Sequence, residues 1–193
     1  MSSQKNAEVG FWKQLYYEKG DYGFNEVRKN DLHLKTKYFP GIFDEQGIGL
    51  DCGCGFRSVF EHSKLRVVAI DPLLEEYRKI SNVENTENVS YIEASGEELP
   101  FDDGYFDFVF CVNVIDHTPN PKKMAEELMR VLKKGGKLYF EVNFDDALSP
   151  AHYGLWNHQI VNEMFNGVNK NFEYTERNNQ DNQWLYHAIY EKT

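Results

Sequence analysis

The chain is predicted to fold as an α/β doubly wound sheet of about seven strands, mostly parallel, with an antiparallel edge strand. Three observations predict this. Apolar runs of strand length alternate with helical periodicity along the middle of the chain, the first of those runs ends in a glycine turn (LDCGCG, residues 50–55), and the last two aromatic-rich runs are joined by NNQDNQ, a hairpin-like connection. With 193 residues the chain has the length of one domain, which divides into N-terminal helices (1–44), a strand–helix core (45–145) and a final segment with the last strand pair (146–193).

Taken in order, Phe11, Trp12, Leu15 and Tyr16 fall at helical spacing between Ala7 and Lys19, and Asn25 to Phe39 reads as a second helix stopped by Pro40. Strands are expected at Gly47 to Cys52, Leu65 to Asp71, Val89 to Ala94, Phe106 to Asn113 and Lys137 to Asn143. A helix over Leu73 to Ile80 follows the second strand. The clearest helix opens with Asn120 as its cap and Pro121 at its first position, and it buries Met124, Ala125, Leu128, Val131 and Leu132 as one stripe. It is expected to stop at Gly135-Gly136, with Glu126 and Arg130 paired at i, i+4. A helix from Leu155 to Phe165 and strands near Phe172 to Arg177 and Trp184 to Tyr190 complete the pattern.

Composition narrows the class. Hydrophobic residues make up 41% and aromatics 15%, enough to fill a core, so the chain is not a disordered one. The formal net charge of −10 repels phosphate backbones and anionic lipid, so no nucleic-acid partner is expected. Cys52, Cys54 and Cys111 are odd in number and fit a reducing compartment; two of them without nearby Cys or His partners make a poor zinc site, and no metal is expected. No run reaches the ~18 apolar residues of a membrane span, and MSSQKNAEVG lacks a signal-like apolar stretch, so the expected location is cytoplasmic.

Chemistry is expected where an open α/β sheet binds its ligands, at the carboxyl ends of the strands. The glycine turn after the first strand lets a ligand approach the backbone, and Asp71, ending the second strand, can accept both hydroxyl hydrogens of a ribose. Together they imply an adenosine-type ligand. A dinucleotide would want G-x-G-x-x-G against a helix N-terminus, but after Gly53-x-Gly55 come Phe56, Arg57 and Ser58.

Five segments in order, LDCGCG (50–55), VVAIDP (67–72), ASGEELPFDDGYFDFVF (94–110), NVIDHTPNP (113–121) and LMRVLKKGGKLYFEV (128–142), make the sequence resemble a class I S-adenosylmethionine-dependent methyltransferase. The resemblance covers about residues 45 to 145 and implies a Rossmann-like fold, S-adenosyl-L-methionine as cofactor and methyl transfer to a small-molecule acceptor at O or N. Carried over by position, it implies that Asp51, Gly53, Cys54 and Gly55 cradle the methionyl part and that Asp71 holds the ribose. It further implies that Ser95, Gly96 and Glu97 lie at the adenine and that Asn113 faces the methyl group. Arg57 stands in place of a third glycine, so the first core helix is expected to be short or irregular. Ser95 stands where an Asp is common, and Asp116-His117 where Glu-His is more frequent.

If the acceptor must lose a proton, His117, His152 and His158 are the candidate bases, since histidine titrates near neutrality. His152, Tyr153, Trp156 and His158 lie in a segment that, with the first helix, is free to form a lid; an aromatic packing cluster is the alternative. Phe11, Trp12, Tyr16 and Tyr17 read mainly as helix core, with Tyr16 or Tyr17 as a candidate contact. Two other functions fit the same layout, an NAD(P)-linked oxidoreductase and a non-catalytic interaction protein.

Overall fold

The structure, a computed structural model, describes residues 3–144, 153–177 and 184–193, with side chains from residue 5 onward. Seven strands form one sheet in the order β3-β2-β1-β4-β5-β7-β6: β1 (Ile48–Cys52), β2 (Arg66–Asp71), β3 (Val89–Glu93), β4 (Phe106–Val112), β5 (Leu132–Phe144), β6 (Asn169–Arg177) and β7 (Trp184–Glu191). The first five pair in parallel, and β7 runs antiparallel to both of its neighbours. The reversed strand therefore sits one place in from the edge, and β6 is outermost. The NNQDNQ connection lies outside the described residues.

Each face of the sheet carries its own apolar layer. On one, Leu50, Ile70, Val109, Leu138 and Phe140 pack under the stripe of α3 (Pro121–Val131) and under Val161 and Phe165 at α4 (His158–Met164). On the other, Val67, Ala69, Phe108, Phe110 and Tyr139 pack under α1 (Ser3–Tyr38), α2 (Leu74–Arg78) and Phe60. Near-continuous burial along β2 and β4 is what a parallel strand covered on both faces requires.

α1 is two helical halves meeting at Gly20, whose φ of 65° and ψ of 175° break the hydrogen-bond ladder there. The second half buries Phe24 and Leu32, with Phe39 just beyond it. Lys35 of this half reaches Glu141 of β5 at 2.6 and 2.7 Å, and His187 Nδ1 of β7 lies 2.9 Å from the same carboxylate. Glu141 is buried, which alone would raise its pKa, but the charges of Lys35 and His187 outweigh that and hold it at about 2.

Two expected helix boundaries and one expected ion pair change. α3 ends at Val131 rather than at the glycine pair, because Leu132 is already extended and pairs with Phe106, while Lys192 Nζ donates to the Arg130 and Leu132 carbonyls. Arg130 pairs with Glu127 and Asp103, not Glu126, since those two carboxylates and the carbonyls of Leu99 and Phe101 surround its guanidinium. α4 begins at His158 instead of Leu155, where the Asn157 side chain accepts the Ile160 N–H. The irregular first core helix does occur, as a 3-10 turn at Val59–His62.

Candidate functional site

The order of the sheet reverses between β1 and β4, and the chain leaves both strands at the same end, which defines the crevice. After β1, Gly53 (φ 77°) and Gly55 (φ 62°) take left-handed conformations that disfavour side chains. A Cβ at Gly53 would fall 2.3 Å from Val114 Cγ1, and one at Gly55 would fall 2.8 Å from Trp12 Cζ2. The turn is pinned to the next strand by the N–H groups of Gly53 and Cys54, which both donate to the Ile70 carbonyl.

Asp71 is buried beside this turn. Its Oδ2 accepts the Gly55 N–H at 3.0 Å and its Oδ1 accepts the Leu73 N–H at 2.9 Å, so it caps the entry to α2 and ties it to the glycine turn at once. Each oxygen retains a lone pair for a hydroxyl donor. Burial, then the nearby carboxylates of Glu8 and Asp51, push its pKa up to about 7 against the two N–H bonds. Asp51, also buried, accepts from Ser58 Oγ at 2.6 Å, and burial pushes its pKa up to about 6. Cys54 meets the crevice through its backbone; burial pushes all three thiols up.

The segment after β3 supplies Ser95, Gly96 and Glu97. Ser95 Oγ accepts the Glu97 N–H, and Glu97 Oε1 accepts the N–H of Asn120 at the start of α3. A Cβ at Gly96 would fall 2.7 Å from Met124 Cε, so α3 lies close against this segment. After β4, Asn113 is the one non-glycine residue with positive φ among the described residues (55°), a costly conformation that clusters at functional sites. Its Oδ1 accepts from Asn143 Nδ2, which joins the tips of β4 and β5.

The histidines separate. His117, a quarter exposed, lies across the crevice from α1, with Nδ1 3.6 Å from Glu8 Oε2 and Nε2 3.9 Å from Asp116 Oδ1. His158 lies toward β6 and β7, packed edge-on to Phe144 and Tyr186 and 3.6 Å from Glu173. His152 falls outside the described residues. Trp156 is buried in the α3–α4 layer, and Tyr153 donates its N–H to the Asp116 carbonyl.

Sequence reasoning expected the first helix to help form a lid, with Tyr16 or Tyr17 as the contact, and missed Trp12 as the residue seated on the glycine turn. Trp12 fills the space in front of Gly55 and donates its indole N–H to Glu8 Oε1 at 2.8 Å, Tyr16 stacks on Phe56 at 5.0 Å, and Phe11 and Tyr17 face solvent. Beneath Phe56, the Tyr77 hydroxyl is buried near Asp71 and Glu8 with no hydrogen-bond partner among the described residues. For Trp12 itself, only its place in a helical run was visible in sequence. Nothing local marked its contact with Gly55.

These features define a class I, Rossmann-like methyltransferase fold. Residues 50–140, the strand–helix core, match the family described as "Methyltransferase domain". It is 31% identical over 141 residues to uncharacterized protein MJ1123 of Methanocaldococcus jannaschii, spanning 72% of this chain and 64% of that one. Over 137 residues it is 30% identical to the human thiol S-methyltransferase TMT1B, covering 68% of this chain and 54% of that protein. Among solved structures, the PH0226 protein of Pyrococcus horikoshii superposes with a TM-score of 0.66 at 19% identity over 93% of this chain and 99% of that one. No helix among the described residues is long and apolar enough to cross a membrane.

Proposed function

We propose that this chain binds S-adenosyl-L-methionine in the crevice between β1 and β4 and transfers its methyl group to a small-molecule acceptor, at oxygen or nitrogen. The observation that carries the reading is Asp71, held by the Gly55 N–H so that a ribose-binding carboxylate and a side-chain-free turn form one unit. The buried Tyr77 hydroxyl fits the same reading, as a polar group in need of a partner from a bound ligand. When bound, the cofactor supplies an electrophilic methyl on a sulfonium whose leaving group is a neutral thioether.

The chain's own residues mainly have to bind, orient and exclude water. Asp71 would accept the ribose hydroxyls, Ser95, Gly96 and Glu97 would border the adenine, and Asp51 would shape the turn through Ser58. Asn113, locked by Asn143, would face the methyl group. Of the three candidate bases, His117 is the described histidine beside the crevice, and Glu8 and Asp116 flank it. It would take the proton where the acceptor is a hydroxyl; a neutral amine needs no base at that step. The human relative's name adds a thiol to the acceptor classes worth assaying.

The dinucleotide alternative has less support. The glycine turn leads into a four-residue 3-10 turn with no helix N-terminus for a pyrophosphate, and the reversed β7 between β5 and β6 departs from the all-parallel dinucleotide order. Arg57 and Ser95, the departures from the family pattern, are what favour the non-catalytic alternative, yet Arg57 has a structural task, donating to Asn25 Oδ1 and the Asn82 carbonyl to hold α1 and the α2–β3 loop. Calorimetric titration with S-adenosylmethionine, S-adenosylhomocysteine and NAD tests the reading. Saturable binding of the first two supports it, and saturable binding of NAD alone overturns it.

A further inference from the structure

We propose that Glu8, on the N-terminal half of α1, reads the positive charge of the sulfonium, so that this half-helix closes over S-adenosylmethionine and loosens over the thioether product. The proposal rests on the cofactor reading above and assigns a specificity-determining residue to that site.

Geometry supports it first. Beyond the break at Gly20, the second half of α1 is anchored by Phe24, Leu32 and the Lys35 ion pair, and Arg28 donates to the carbonyls of Cys54 and Arg57. The first half instead lies over the crevice. Trp12 seats on Gly55 after β1 and fixes one oxygen of Glu8, while the other oxygen faces His117 after β4. Glu8 thus spans the two turns between which the sulfur end of the cofactor would lie.

Charge and unmet polarity add a second, independent line. Glu8, Asp71 and Asp51 bring three carboxyl groups to one crevice, and Glu8 and Asp71 both act electrostatically on the buried Tyr77 hydroxyl, which has no partner. Such a site favours a ligand that brings hydrogen-bonding groups and positive charge together. Methyl transfer removes that charge: the methyl–sulfur bond breaks, its electron pair stays on sulfur, a bond forms to the acceptor, and any acceptor proton passes to base or solvent. Glu8 then faces a neutral thioether and its attraction is lost.

Because the Glu8 side chain is 32% exposed, its preference should be about tenfold, about 1.4 kcal/mol, rather than the larger factor of a fully buried pair. The test is titration of wild type and Glu8→Gln with S-adenosylmethionine and S-adenosylhomocysteine; glutamine keeps an oxygen for the Trp12 N–H. The expected result is a loss of about tenfold in affinity for S-adenosylmethionine with little change for S-adenosylhomocysteine. Equal changes for both ligands, or none, overturn the role of Glu8. Failure of wild type to bind either ligand overturns the cofactor reading itself. Hydrogen exchange on wild type needs no variant: residues 5–19 should exchange more slowly with S-adenosylmethionine than with S-adenosylhomocysteine, and identical protection overturns the proposal.

Discussion

Replacing Lys35 by methionine should destabilise the protein by about 3 kcal/mol at pH 7, because it strands a buried carboxylate. Glu141 is 4% exposed on its side chain and Lys35 18%, so solvent screens little of the pair. Holding Glu141 at about 2 rather than its ordinary 4.5 corresponds to stabilisation on the order of 3 kcal/mol. Lys35 shares that with His187, but its loss also leaves charge in an apolar layer, and breaking one side of a buried pair costs about 3 to 5 kcal/mol. For a domain of this size the fall in Tm should be about 6 to 12 °C. The folded-state pKa is depressed, so this stability is fully present above about 4.5 and is lost as the pH falls toward about 2. The gap between wild type and variant should therefore be largest at neutral pH and close on acidification. Urea unfolding followed by tryptophan fluorescence at pH 7, 5 and 3 measures it. A variant within about 1 kcal/mol of wild type at pH 7, or a gap that stays constant down to pH 3, would refute the reasoning.

Two further outcomes follow from the crevice. Gly53→Ala forces a side chain into a left-handed position against Val114, so strain and overpacking together should cost about 2 to 4 kcal/mol and abolish cofactor binding; calorimetry showing an unchanged Tm would contradict the geometry. Burial pushes the Asp71 carboxyl up to about 7, and ribose hydroxyls prefer the carboxylate, so cofactor affinity should rise from pH 6 to 8 and level off above. Asp71→Asn should bind at least tenfold more weakly with a flat profile, and a wild-type profile that is already flat would remove Asp71 from the ribose.

The strands were legible because their signals are local. Leu65 to Asp71 was expected from an apolar run ending in an acid and occurs as Arg66–Asp71, and the glycine turn and the terminal aspartate are set by residues next to them. What was not legible depends on distant chain. The run from Met124 through Lys134 has helical periodicity throughout, yet Lys192 and the pairing of Leu132 with Phe106 end the helix at Val131. Lys35 and Glu141 are 106 residues apart, and each alone reads as a solvated charge. Trp12 reads as helix core, which is true of its packing but conceals that the surface it packs on is the glycine turn.

The break at Gly20 connects these two levels. A continuous helix would carry the anchoring of Lys35 and Leu32 directly to Trp12, and opening the crevice would mean unpacking the α1 face of the sheet. With the ladder interrupted, the second half can stay fixed while the first half opens on its own, at the smaller cost of the Trp12, Tyr16 and Phe56 contacts. Stability and access are thereby assigned to different halves of one element. Damage at Lys35 should lower global stability while leaving the crevice geometry intact, whereas damage at Glu8 should alter ligand preference and leave the melting temperature nearly unchanged. That division follows from one glycine whose backbone angles no other residue adopts as readily.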